Sequence, residues 1–305
     1  MIHVKNLGEN SIMTHFKFII IILTSFLLFS TIGCNQPPTT LYVGGIPDQD
    51  TARLARRYEQ FVVYLSEELK IPVAFKASMD YSAVVTAFSQ GDIDLGFFGG
   101  LTGVQARIQN PGAQAIAQRE DDAIFLSKFI ANPSLNITSI KELKKNSKSL
   151  TITFGSESST SGNLMPRHFL LENGIDPDKD FKTAPNYSGS HDLTWKLVHD
   201  GAFDIGALNS KVWDRTVNEN TVDKNRVTEF YTTPPYYDYN WTVRHDIDAK
   251  FGDGFTLQIQ QALLKLNTKD HKEILDLFNA NKFIPTTNSD YLAIKDIAES
   301  LGIIK

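Results

Sequence analysis

Apolar positions along the chain switch repeatedly between a period of two and a period near 3.6, and the switches predict strands alternating with helices. Leu41–Gly45 alternates and ends in paired glycines. From Thr51, the residues Leu54, Tyr58, Phe61, Val62, Leu65 and Leu69 share one helical face, with Asp48 or Asp50 placed to cap it. Val73–Ala77 predicts a second strand, Tyr81–Gln90 a helix stopped by Gly91, Ile93–Phe98 a third strand, Leu101–Gln109 a helix, and Ala123–Ala131 an apolar strand. A lysine-rich, weakly apolar helix near Ile140–Lys145 follows Pro133. The pattern then restarts with strand Leu150–Phe154, helix Asn163–Asn173 closed by Gly174, a strand near Lys182–Ala184, helix Asp192–Asp200 and strand Phe203–Leu208. Val227–Thr232 forms a further strand, and Phe255–Leu266, His271–Asn279 and Ser289–Leu301 are three closing helices. Such alternation predicts an α/β fold with mostly parallel sheets.

The restart has a fixed spacing. Gly91-Asp92-Ile93-Asp94-Leu95-Gly96 and Gly201-Ala202-Phe203-Asp204-Ile205-Gly206 keep Gly, Asp and Gly in register at an offset of 110 positions (201 against 91), which sets His191 opposite Tyr81 and Asn209 opposite Gly99. Two similar lobes are expected: residues 41–128 with 232–305, and residues 129–231. The strands Ala123–Ala131 and Val227–Thr232 would cross between them. Ligands of open α/β folds bind outside the carboxyl ends of strands, so a crevice between the lobes is the expected site.

Composition changes this picture little, but the N-terminus does. With 305 residues, 42% hydrophobic and 21% charged, the chain can build a substantial core. A net charge of −5 without a basic block gives no field for nucleic acid, so a bound anion must be held by local donors. Lys5 and Lys17 precede an apolar run, Phe18–Phe29, too short to span a bilayer, which meets small residues before Cys34. Residues 1–33 therefore read as a signal peptide, with Met13 an alternative start. Cys34 is the only cysteine, so thiolate catalysis and Cys-metal sites are excluded. Its place right after Gly33 is that of a lipidated first residue, with 34–40 a tether; ordinary cleavage beside a stray cysteine is the alternative. The expected protein is exported, periplasmic or at the cell surface, membrane-attached by lipid only, and monomeric.

Candidate chemistry gathers at Phe154-Gly155-Ser156-Glu157-Ser158-Ser159-Thr160-Ser161-Gly162, where a strand turns into a helix N-terminus. Free backbone N–H groups, hydroxyls and the positive end of the helix dipole converge there, which suits a small oxyanion. A plainer alternative is that one serine caps the helix. Other strand-end loops add Tyr81, Gly99, Gly100, His191 and Asn209, a set rich in donors and poor in Lys and Arg. Ser159 or Ser161 with His191 could make a secreted serine hydrolase, although no Gly-x-Ser-x-Gly elbow supports it. The seven histidines are scattered, so neither a metal nor a cofactor is expected. Trp195, Trp213 and Trp241 are assigned to cores, and Arg53, Arg56 and Arg57 to a solvated helix face.

Gly44-Gly45-Ile46-Pro47-Asp48-Gln49-Asp50-Thr51-Ala52-Arg53-Leu54-Ala55-Arg56-Arg57-Tyr58, Phe97-Phe98-Gly99-Gly100-Leu101-Thr102-Gly103-Val104-Gln105-Ala106-Arg107, the Gly155–Gly162 loop and Gly206-Ala207-Leu208-Asn209 together resemble the phosphate, phosphite and phosphonate substrate-binding proteins of ABC transporters, most nearly the branch proposed to bind selenate. The resemblance covers about Leu41 to Lys305. It implies a type II periplasmic-binding-protein fold, two α/β lobes joined by two crossing strands, closing on a small oxyanion and passing it to a permease and ATPase. By that resemblance Ser159-Thr160-Ser161 corresponds to the anion loop, with Ser158 beside it a further candidate from its place in the turn, Tyr81 lies near the pocket, and His191 follows Gly-Ser on the second lobe. Phosphonate binders tend to carry Tyr-Gly-Pro where this chain has Phe98-Gly99-Gly100, and a carboxylate where it has Asn209. A carboxylate accepts the proton of a phosphonate but repels selenate, whereas an amide donates. A selenate-like dianion is therefore expected, with a phosphonate or phosphite the alternative.

Overall fold

Three consecutive βα units, β1 (Leu41–Gly45), α1 (Thr51–Leu69), β2 (Val73–Phe75), α2 (Tyr81–Gln90), β3 (Leu95–Phe98) and α3 (Gly100–Gln109), begin the computed structural model, which describes residues 39–304. Residues 1–33, expected to be a signal peptide, and Cys34 lie outside the described residues. After β4 (Gln114–Arg119), the chain builds β5 (Ser127–Ala131), α4 (Ile140–Asn146), β6 (Ile152–Phe154), α5 (Met165–Glu172), β7 (Asn186–Tyr187), α6 (His191–His199), β8 (Ile205–Asn209), α7 (Ser210–Asn218) and β9 (Thr228–Thr232). It ends with β10 (Asn240–Val243), α8 (Ile247–Phe251), α9 (Phe255–Lys265), α10 (Lys272–Phe278), β11 (Phe283–Pro285) and α11 (Leu292–Ser300). Asp50 rather than Asp48 caps α1, accepting from Arg53 N–H at 3.0 Å. Gly91 ends α2 at φ 87°, in the left-handed region that glycine enters without a Cβ clash.

Two mixed sheets result. The first runs β11-β4-β10-β3-β1-β2, and the second β7-β6-β8-β5-β9. β2, β1 and β3 pair in parallel as expected of βα units. The antiparallel half was not foreseen: β10 inserts between β3 and β4, and β11 closes the edge beside β4. In the second sheet β7, β6 and β8 are parallel, while β5 and β9 run against them. β5 and β9 thus lie within the second sheet, and the crossings are made by segments 120–126 and 233–239. These two segments are bonded to each other, Phe125 N–H donating to Tyr236 C=O at 2.8 Å, Tyr236 N–H to Phe125 C=O at 3.0 Å and Asp238 N–H to Asp122 C=O at 3.0 Å.

Trp241 on β10 is the hub of the first core, stacked on Phe61 at 4.7 Å and tilted against Phe97 at 4.8 Å. That core continues without a break into Leu164, Met165 and Phe169 at the head of α5, so apolar packing reaches from the first lobe to the serine-rich turn of the second. Trp195 and Trp213 are buried in a separate cluster of the second lobe. All three tryptophans are core residues, as their contexts suggested.

Candidate functional site

The serine-rich turn leaves β6 at Phe154 and enters helix by one wide π turn, Thr160–Leu164, so regular helix starts at Met165 instead of Asn163. Ser159 caps the turn, its Oγ accepting from Gly162 N–H at 2.9 Å. The capping reading is therefore correct for Ser159, and its hydroxyl proton is still free to donate. A Cβ at Gly162 would stand 2.9 Å from Ser159 Oγ and 3.0 Å from both Gly155 Cα and His191 Cε1, so only glycine lets the turn fold this tightly. Asn163 braces the outer side, donating to Glu157 C=O at 2.7 Å. Ser159, Thr160 and Ser161 are buried, while Ser158 is half-buried with its Oγ 3.5 Å from Ser82 Oγ of the first lobe.

The first lobe meets this turn with Tyr81, Gly99 and Gly100. Tyr81 opens α2, fully buried, its hydroxyl beside Ser159 but short of bonding geometry and without a partner. Burial pushes that phenol well above its ordinary range, so it is a neutral O–H donor. The N–H groups at the head of α3 are already engaged: Gly99 donates to Thr102 Oγ1 at 3.0 Å, Gly100 to Asp238 Oδ1 at 2.9 Å, and Leu101 to Thr160 Oγ1 at 2.9 Å. The two glycines permit close approach of the lobes, since a Cβ on Gly99 would lie 3.1 Å from Thr160 Oγ1. Asp238 is buried and its Oδ2 has no partner. Burial raises this carboxyl to about 7, against the Gly100 N–H bond that favours its charge.

His191 and Asn209 sit at the back of the site. Asn209 N–H approaches His191 Nδ1 at 3.4 Å, which assigns the ring proton to Nε2, 3.5 Å from Tyr239 Oη. Burial lowers His191 to about 4, so the ring is neutral at physiological pH. Asn209 is committed at both ends of its amide: Oδ1 accepts from Lys211 and Val212 N–H at 2.8 and 3.2 Å, and Nδ2 donates to Tyr239 Oη at 2.9 Å. Tyr239 in turn donates to Asp48 Oδ2 at 3.1 Å, and Asp48 Oδ1 pairs with Arg57 at 3.1 Å. Burial, the largest single effect, works against the Asp48 charge, but Arg57 and the other favourable groups around it together outweigh burial and hold the carboxyl below its ordinary range. Around the rim, His191 N–H donates to Asp48 C=O at 3.2 Å and Asp50 N–H to Asp192 Oδ2 at 3.1 Å, so the lobes are bonded across the cleft.

Four participants were not singled out from sequence. Asp48 was seen only as a possible helix cap in a loop; Arg57, assigned to a solvated face, is instead fully buried because Asp48 and Leu277 C=O claim its guanidinium. Asp238 and Tyr239 lie in Pro234-Pro235-Tyr236-Tyr237-Asp238-Tyr239-Asn240-Trp241, where a carboxylate among aromatics was the available signal of a buried acid. No serine bonds His191 among the described residues, so the Ser-His pair of a hydrolase is not assembled. Also among the described residues, no cluster of three potential metal ligands occurs, and no helix is long and apolar enough to cross a membrane.

Two α/β lobes, joined by two crossings and closed on a donor-lined cleft, define a type II periplasmic binding protein. Residues 43–291 match the family model described as ABC transporter, phosphonate, periplasmic substrate-binding protein, and the chain belongs to that family. It is 42% identical, over 93% of its length and 98% of the relative's, to a protein of Prochlorococcus marinus strain MIT 9301 described as a probable ABC transporter phosphite binding protein, PhnD1. A solved structure of PhnD1 from that organism in complex with methylphosphonate superposes with a TM-score of 0.84 at 44% identity, covering 88% of this chain and 100% of that one. A binding-protein component of an ABC phosphonate transporter from Pseudomonas aeruginosa, 20% identical, shares the fold with a TM-score of 0.76 over 85% of each chain.

Proposed function

We propose that this binding protein captures a small tetrahedral phosphorus oxyanion carrying one proton, phosphite or methylphosphonate in class, and passes it to the permease and ATPase of an importer. One observation carries the reading. A buried donor, Tyr81 Oη, and a buried acceptor, Asp238 Oδ2, lie beside the serine-threonine turn and have no protein partner. Unpaired buried polar groups are costly, so such a pair is expected where a ligand completes them. Ser159, Thr160 and Ser161 with Tyr81 would donate to the unprotonated oxygens, and Asp238 would accept the ligand's one proton. Arg57 and Arg119 are ion-paired with Asp48 and Asp122, although Arg57 Nη2 stays buried without a partner, so neutral dipoles chiefly hold the anion.

The expectation of a selenate-like dianion gives way on this point. It treated Asn209 as the residue that replaces an acceptor, but Asn209 Oδ1 is taken by the cap of α7 and one Nδ2–H by Tyr239, and Asp238 supplies the acceptor from another segment. The phosphite and methylphosphonate descriptions of the Prochlorococcus relative support the same choice. Isothermal titration of the mature protein at pH 7 should give binding of phosphite and methylphosphonate, with sulfate and selenate weaker by about tenfold or more. Selenate as the tightest ligand would overturn it. Export, lipid attachment at Cys34 and a monomeric state belong to the same proposal. Labelling with a fatty-acid analogue, abolished in Cys34→Ser, and sedimentation of the mature chain check them.

A further inference from the structure

We propose that Gly100 is a positioning residue for ligand selectivity: its N–H, at the head of α3, turns Asp238 so that Oδ1 is tied to protein and Oδ2 is left as the acceptor for the ligand's proton. The inference rests on the site reading above and assigns one part of its selectivity to a backbone group that touches no ligand.

The geometry isolates this bond. Of the first N–H groups of α3, Gly99 turns into Thr102 and Leu101 reaches across to Thr160, so Gly100 alone meets the carboxylate, at 2.9 Å. Asp238 is otherwise fixed by its backbone, its N–H donating to Asp122 C=O at 3.0 Å and its C=O accepting from Asn240 Nδ2 at 3.3 Å. Among the described residues, Gly100 is the one donor in bonding geometry with the carboxylate; the Thr160 and Ser161 hydroxyls lie close by. The titratable groups facing it are Asp122, already held by Arg119 at 2.6 Å, and the phenols of Tyr81, Tyr236, Tyr239 and Tyr291. No free cation stands among them. The Gly100 N–H, at the positive end of a ten-residue helix, is therefore the strongest of the groups that oppose burial and favour the ionised Asp238, ahead of the nearby Thr160 and Ser161 hydroxyls.

The consequence is a choice between anion classes. An ionised Asp238 accepts from a protonated phosphorus oxyanion and repels sulfate or selenate. A neutral Asp238 donates, and the preference reverses. Below the midpoint of Asp238 a singly protonated ligand finds no acceptor, so its affinity falls on the acid side. Losing one N–H bond to a charged acceptor moves that midpoint upward by about one pH unit or more.

Gly100→Pro deletes the N–H at a first-turn position where proline suits the helix. Gly100→Ala keeps the N–H and adds a Cβ 3.2 Å from Tyr237 C=O and 3.4 Å from Thr160 Cγ2, which controls for bulk. Both are titrated with methylphosphonate and with sulfate from pH 5.5 to 8.5, about one and a half units either side of the Asp238 midpoint. The proline variant should move the acid limb for methylphosphonate upward by about one pH unit and lower the methylphosphonate-to-sulfate affinity ratio at pH 7 by about tenfold. The alanine variant should weaken both ligands alike, with ratio and profile unmoved. Equal behaviour of the two variants would overturn the proposal. A second measurement needs no substitution at Gly100: in the unliganded native protein its amide resonance should titrate with a midpoint near 7, and the titration should vanish in Asp238→Asn. A Gly100 amide that does not titrate also overturns it. If instead the unaltered protein prefers sulfate or selenate, the site reading itself fails.

Discussion

Asp238→Asn tests the buried carboxylate directly, because it keeps the shape and exchanges acceptor for donor at Oδ2. The unfolded carboxyl titrates at 3.8 and the native one at about 7, a difference of about three pH units. At 1.36 kcal/mol per unit this is about 4 kcal/mol. The sign follows from proton count. Between pH 3.8 and 7 the native state holds a proton that the unfolded state has released, so stability falls as pH rises through that window, and the loss is complete above it. Asparagine does not titrate. Urea unfolding of the unliganded proteins should therefore show the variant equal to the parent near pH 4 and more stable by up to about 4 kcal/mol at pH 8, where water entering between parted lobes lowers the figure. The same variant should bind methylphosphonate about 10- to 100-fold more weakly at pH 7 and sulfate more tightly, since its Nδ2 now donates. A stability difference that is flat from pH 5 to 8, or unchanged ligand preference, would refute the reasoning.

Three further outcomes are expected. His191, neutral in the native state down to about 4 and titrating at 6.5 when unfolded, should withdraw about 3 kcal/mol as pH falls from 6.5 to 4; His191→Gln should flatten that part of the urea-midpoint profile. Thr160→Val leaves Leu101 N–H without its acceptor across the cleft and should weaken methylphosphonate binding about tenfold or more by titration calorimetry, with Thr160→Ser staying within about threefold. Gly162→Ala forces a Cβ against Ser159, Gly155 and His191 and should cost about 1–3 kcal/mol, read as a lower Tm in scanning calorimetry.

Local order was legible in the chain itself. Periodicity located β1, α1, α2, β3, β6, β8 and the closing helices, because one apolar face per element is a property of neighbouring residues. The 110-residue repeat announced two lobes, and the strand-to-helix passage through Ser159-Thr160-Ser161 marked a donor-rich turn. β4, β10 and β11 were not legible. β10 is a short segment whose membership in the first sheet depends on fitting between β3 and β4, partners far away in sequence. The same reason governs the site. Which bonds Asn209 makes, whether Arg57 meets water or Leu277 C=O, and whether Asp238 is a surface acid or a buried acceptor are settled by contacts from distant segments. Side-chain type states what a residue can donate or accept; only the closed tertiary structure decides which of those capacities the protein has already used and which it leaves unpartnered.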